Sequence, residues 1–148
     1  MSKLCNIAIK ENDGSIECIN LYAVATVNRE GLLLYQYYQD PNKIQSLIDL
    51  GDLMDLCSTV RSDPYKMHDV VNRQKDVCVA FGRDAGEIGH NKRVYKGNED
   101  FNNDLKTNFM KNIVNQIIVK HMNLLKMPIM IIKDYTQRQT TLKWKLKI

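Results

Sequence analysis

The residues with the strongest claim to chemistry lie in one stretch, Phe81-Gly82-Arg83-Asp84-Ala85-Gly86-Glu87-Ile88-Gly89-His90-Asn91-Lys92-Arg93. It offers an aromatic ring, two guanidinium groups, two carboxylates and an amide, and its three glycines let the backbone come close to a ligand. Each part suits a nucleotide. The Phe81 ring can stack on a base, which is worth about 1–3 kcal/mol. Arg83 or Arg93 can grip a phosphate through parallel charge-assisted hydrogen bonds. Asp84 can accept from ribose hydroxyls, and Asn91 can both donate and accept. The same residues also read as a plain surface turn, with Phe81 in the core and Arg83 paired to its neighbour Asp84 in water. Residue types alone leave both readings open.

A catalytic constellation is harder to find. No phosphate-binding G-x-x-x-x-G-K-[ST], no G-x-G-x-x-G, no H-E-x-x-H and no G-x-S-x-G occurs. None of His68, His90 and His121 is followed two positions later by Ser or Thr, as two-histidine phosphodiesterases require. His121 falls on an apolar periodic segment and is expected in or near the core. His68 falls in a long connection and is expected to be exposed. Asp84 with Glu87 could form an acid–base pair, and Cys57 or Cys78 could join a histidine, but nothing local supports either. Cys5, Cys18, Cys57 and Cys78 contain no C-x-x-C, so no metal site is expected, and they read as small buried hydrophobes. The expectation is a binding protein and not an enzyme, with no cofactor.

The elements that must position this loop are legible in outline. A length of 148 residues and 44% apolar content fit one domain, residues 1–148, with one core. No apolar run approaches the roughly 20 residues that span a bilayer, and the first residues lack a signal peptide's apolar stretch, so a cytoplasmic chain without membrane contact is expected. Residues 6–10 read as a strand, Asn12-Asp13-Gly14-Ser15 as a hairpin turn, and residues 16–26 as the returning strand. Residues 29–39 look helical. Asp40 can cap a second helix with Pro41 at its first position, and Gly51 can end it. Residues 52–75 read as a long, mostly irregular connection and residues 76–81 as a buried strand. Residues 82–98 read as a loop or broken element.

Phe101, Leu105, Phe109, Ile113, Ile117 and His121 then recur at steps of four, which predicts a helix over 99–125. Residues 127–135 and 140–148 read as strands, the last alternating Leu142, Trp144, Leu146 and Ile148 with lysines. The predicted fold is α+β: an antiparallel sheet packed against two or three helices. Residues 105–148 carry nine Lys/Arg against the single acid Asp134, which opens an alternative function as a basic nucleic-acid-binding module.

Three pieces of the chain form a further pattern: Gly31-Leu32-Leu33-Leu34 through Tyr37-Tyr38, then Leu47-Ile48-Asp49-Leu50-Gly51-Asp52-Leu53, then Val77-Cys78-Val79-Ala80-Phe81-Gly82-Arg83-Asp84-Ala85-Gly86-Glu87. Over residues 30–93 this resembles the first-described Thoeris anti-defence family of phage proteins. The chain departs from the family pattern in having Phe81 and Ala85 where tyrosine and arginine are expected, and Val27-Asn28-Arg29-Glu30-Gly31 in place of an aromatic stretch. The resemblance implies a sponge that binds a cyclic ADP-ribose isomer made by bacterial TIR-domain immune proteins, such as glycocyclic ADP-ribose, without cleaving it. It implies that Phe81 stacks on the adenine and Asn91 hydrogen-bonds the ligand, with Arg83 and Asp84 either touching the ligand or holding the loop in shape. It further implies a homo-oligomer, dimer or hexamer, in the cytoplasm of an infected host. The long apolar helix would then lie at a subunit interface, and cyclic oligonucleotides would bind a separate site with Arg29 and Arg61 as candidates.

Overall fold

The computed structural model describes residues 4–22, 27–109, 113–120 and 129–134. Strand β1 (Leu4–Lys10) turns through Asn12 to Ser15 into β2 (Ile16–Leu21), paired antiparallel. The turn forms as its composition predicts. The Asp13 carboxylate accepts from the backbone N–H of Ser15 at 2.8 Å, and Gly14 takes φ +89°, a conformation open to glycine at little cost. A π-helical turn (Val27–Gly31) leads into helix α1 (Leu32–Tyr37). Helix α2 (Pro41–Asp49) starts where the sequence says it should: Asp40 accepts from the Asn42 N–H at 2.9 Å and Pro41 fills the first position.

Beyond α2, short strands β3 (Leu53–Asp55) and β4 (Val79–Ala80) pair with each other, and helix α3 (Phe81–Ala85) follows directly. Strand β5 (Arg93–Tyr95), helix α4 (Asn98–Phe109) and strands β6 (Ile113–Lys120) and β7 (Ile129–Asp134) complete the described elements. The class is α+β, as expected. The sheet runs β4-β3-β2-β1-β6-β7, with β5 also on β2. It is mixed: β1 with β6 and β2 with β3 are parallel, and the other pairings are antiparallel.

Alternation along the central strands sends side chains to two faces. Cys5, Ile7, Ile9, Ile19 and Leu21 join Leu34 and Tyr38 of the α1 region and Ile44, Leu47 and Ile48 of α2 in the larger core. Ala8, Ile16 and Cys18 face the other way and pack with Phe101 of α4. Residues 52–75 are mostly irregular, as expected, and hold the three residues of β3 and a bridge from Thr59 to Val77. Two other expectations are overturned. Phe81 does not end a strand; it starts α3. The helix expected over 99–125 stops at Phe109, and Ile113–Lys120 is a strand between β1 and β7. The sequence there, Ile-Val-Asn-Gln-Ile-Ile-Val-Lys, is rich in β-branched residues that favour a pleated strand over a helix. A subunit interface built on one long helix goes with it. His121 and the strand expected over 140–148, with Trp144 and its lysine face, lie outside the described residues. No helix among the described residues is long and apolar enough to cross a membrane.

Candidate functional site

Strand β2 is shared unequally along its outer edge. Leu21 pairs with Leu53 of β3, while Ile16, Glu17 and Cys18 pair with β5. Between them the Asn20 N–H is left without a strand partner, and Asp52 supplies one, its Oδ1 accepting at 2.7 Å. The Asp52 side chain is only 3% exposed, and Arg93 Nη2 lies 3.3 Å from Oδ1 and His90 Nδ1 3.2 Å from Oδ2. Its backbone is equally committed: Asp52 N–H donates to the His90 carbonyl at 2.8 Å, and the Phe81 N–H donates to the Asp52 carbonyl at 3.1 Å. One buried residue thus ties the end of α2, the start of α3 and the returning loop to the middle of the sheet.

This knot sets the position of three rings. Phe81, half-buried, lies parallel to His90, with 4.3 Å between centroids and 15° between planes. Tyr22, just beyond β2, stands edge-on to Phe81 at 5.0 Å and to His90 at 5.9 Å. Tyr22 is 36% exposed, so the cluster opens to solvent on that side. Asn91, which follows His90 in the chain, is exposed, and its Cα lies over Gly51. The ring and the amide singled out from sequence both lie on the segment that Gly51 and Asp52 hold, with Asn91 directly after His90 in the chain.

Arg83 and Asp84 do the other of their two expected jobs. Arg83 Nη1 donates to the Val60 carbonyl at 2.6 Å, Nη2 to the Cys78 carbonyl, and Nε and Nη2 to Asp84 at 2.6 and 2.8 Å. The Asp84 side chain is 1% exposed and also accepts the Ala80 N–H at 2.7 Å. The pair is a two-pronged brace pinning α3 to the preceding segments, with the Asp84 carboxylate buried and the Arg83 side chain partly exposed. Arg93 likewise points inward, to Asp52. Arg29 is exposed in the π-helical turn, 3.6 Å from Glu30, and Arg61 is exposed in the long connection. Both lie on segments separate from the ring cluster.

The His68 side chain, expected in solvent, is enclosed instead, at 2% exposure. Its Nδ1 accepts the Gln74 N–H at 3.0 Å, which places the proton on Nε2, 3.2 Å from the Cys78 carbonyl. It packs beside the Arg83–Asp84 brace and closes the connection onto β4. Sequence reasoning also missed Tyr22, Asp52 and His90 as site builders. Tyr22 carries no motif signal, and Asp52 was visible only as part of Gly51-Asp52-Leu53.

Cys5, Cys18 and Cys78 fit the reading of small buried side chains, while Cys57 is half-buried. Burial pushes Cys18 up to about 11 and, with the nearby Asp55 charge, Cys57 also to about 11, so both stay protonated and unreactive near neutrality. Among the described residues no cluster of His, Cys, Asp and Glu could hold a metal ion.

Burial by itself would raise Asp84, but the Arg83 hydrogen bonds, the Ala80 N–H and the Arg83 charge outweigh it and hold the carboxyl below its usual value. A depressed native value means that Asp84 adds stability above the unfolded pKa of about 3.9, and that this is lost as pH falls through the lowered native value. Urea midpoints from pH 6 to pH 2 should therefore fall less steeply at the acid end in Asp84→Asn than in wild type. Parallel curves would reject the brace as a source of acid sensitivity.

No family model, no curated protein and no solved structure matches the chain.

Proposed function

We propose that this protein binds a cyclic ADP-ribose isomer of the glycocyclic kind and sequesters it uncleaved, as a phage sponge against TIR-domain immune signalling. The supporting observation is the half-open ring cluster of Tyr22, Phe81 and His90, with the exposed Asn91 following His90 in the chain. Phe81 supplies the stacking face for adenine, and Asn91 hydrogen-bonds the ligand. Arg83 and Asp84 serve the site indirectly, by fixing α3 and hence the Phe81 ring. Sequestration requires affinity alone: a nanomolar site corresponds to about −12.3 kcal/mol. The proposal includes a homo-oligomer acting in the cytoplasm of the infected host, and a separate cyclic-oligonucleotide site reached through Arg29 and Arg61.

The test is a thermal-shift scan of cyclic ADP-ribose isomers, followed by heating of the complex and analysis of the released ligand. Ligand at a hundred times its Kd should add about 2.7 kcal/mol of stability, and the signal should return chemically intact. A cleaved product would sink the sponge. Phe81→Ala should weaken binding about 10- to 100-fold through the lost stacking, and Asn91→Ala about tenfold, the latter with a melting temperature near wild type. Unchanged affinity in both variants, measured by titration calorimetry, would move the site elsewhere.

A further inference from the structure

One face of the Phe81 ring is already taken. The His90 imidazole lies 4.3 Å from it and nearly parallel, the spacing at which a base stacks. Both imidazole nitrogens meet carboxylate oxygens, Asp52 Oδ2 at 3.2 Å and Glu87 Oε2 at 3.3 Å. Tyr22 forms a perpendicular wall against both rings. A flat nitrogen heterocycle on an aromatic face, with hydrogen-bond acceptors at its edge, is how proteins hold an unstacked purine. Here a side chain of the protein makes those contacts.

We infer that His90 is the site's own plug: its imidazole fills the slot a purine base takes, and it swings out when the base enters. The inference rests on the reading of Phe81 as the base platform. The backbone need not move, because the His90 carbonyl stays fixed by the Asp52 N–H over Gly51. The side chain is 21% exposed, so rotation carries it toward solvent. Glu87, half exposed, is released to accept from the exocyclic amino group of the incoming base. The plug makes the binding-competent state a fraction of the population, which weakens apparent affinity by that fraction. It also selects rings that outcompete an imidazole on Phe81.

Titration of wild type, His90→Ala and the double variant His90→Ala/Phe81→Ala with cyclic ADP-ribose and with adenosine 5′-monophosphate tests this. His90→Ala should bind both probes at least tenfold more tightly than wild type, and the double variant should lose that gain. Nuclear magnetic resonance of the wild-type protein gives a second readout that does not depend on a variant folding. The His90 ring protons, shifted upfield by the Phe81 ring current, should return toward ordinary values as ligand saturates. Equal or weaker binding by folded His90→Ala, or a His90 ring that keeps its shift at saturation, overturns the plug and leaves the Phe81 platform standing. Absence of binding in both wild type and His90→Ala overturns the platform and the plug together.

Discussion

Gly51→Ala is expected to lower stability by about 3–5 kcal/mol and to abolish ligand binding. Two effects add. Gly51 sits at φ +77°, in the left-handed region where any Cβ is strained. A Cβ there would also lie 2.1 Å from the His90 carbonyl oxygen, far inside van der Waals contact, and that oxygen is backbone that cannot rotate away. Relief requires the loop carrying His90 and Asn91 to lift off the end of α2, which breaks the Asp52 N–H bond to the His90 carbonyl and moves Asn91 away. For a chain of this size the loss amounts to a fall of roughly 10 °C or more in Tm. Gly86→Ala is the control, since Gly86 has φ +68° but nothing within 4 Å of an added Cβ. It should cost only the backbone strain, about 1–2 kcal/mol. Equal losses in the two variants, by urea unfolding, would mean that the close approach of the loop is unimportant.

Asp52→Ala is expected to cost about 2–4 kcal/mol and to loosen the whole site. The substitution leaves the Asn20 N–H, the Arg93 guanidinium and His90 Nδ1 without their acceptor at once. The figure is set below that for a fully buried pair because the Arg93 side chain is 34% exposed and water can recover part of its solvation. Adding Arg93→Met to Asp52→Ala should restore part of the loss, since the unpaired charge is then gone. Strict additivity in that double-mutant cycle would show that the Asp52–Arg93 contact carries no coupling. Amide exchange gives a local readout: the Asn20 N–H should become much less protected in Asp52→Ala while the β1–β2 ladder around Ile7 and Ile19 stays protected.

Both substitutions reach the proposed site through one mechanism. Phe81, His90 and Asn91 belong to a segment with few regular elements of its own, α3 and the three residues of β5. Its geometry is imposed from outside, by Asp52 and Gly51 on one side and the Arg83–Asp84 brace on the other. A base platform needs such rigidity, because the entropy of ordering a loose loop would be subtracted from the binding energy.

The sequence by itself determined what depends on near neighbours. The Asn12-Asp13-Gly14-Ser15 turn, the Asp40 cap with Pro41, the glycine after α2 and the buried cysteines all follow from local chemistry: a side chain reaching its own backbone, a fixed φ, a missing Cβ. The α+β class followed from such signals taken together. Tertiary structure alone decided the fate of residues 113–120. Positions at steps of four share a face in a helix, but they also share a face in a strand, because four is a multiple of two. The spacing of Phe101, Leu105, Phe109, Ile113 and Ile117 therefore could not distinguish them, and pairing of β6 between β1 and β7 did. The same holds for the site. Phe81 and Asn91 could be picked out as residue types with chemistry, but the meeting of Tyr22, Asp52, Phe81 and His90 joins three separate stretches of chain. Arg83 and Asp84 could serve a ligand or the loop until the Val60 and Cys78 carbonyls, contributed from elsewhere, claimed the guanidinium. Long-range contacts of this kind are set by where a split sheet leaves an N–H unpaired, and no local pattern encodes that.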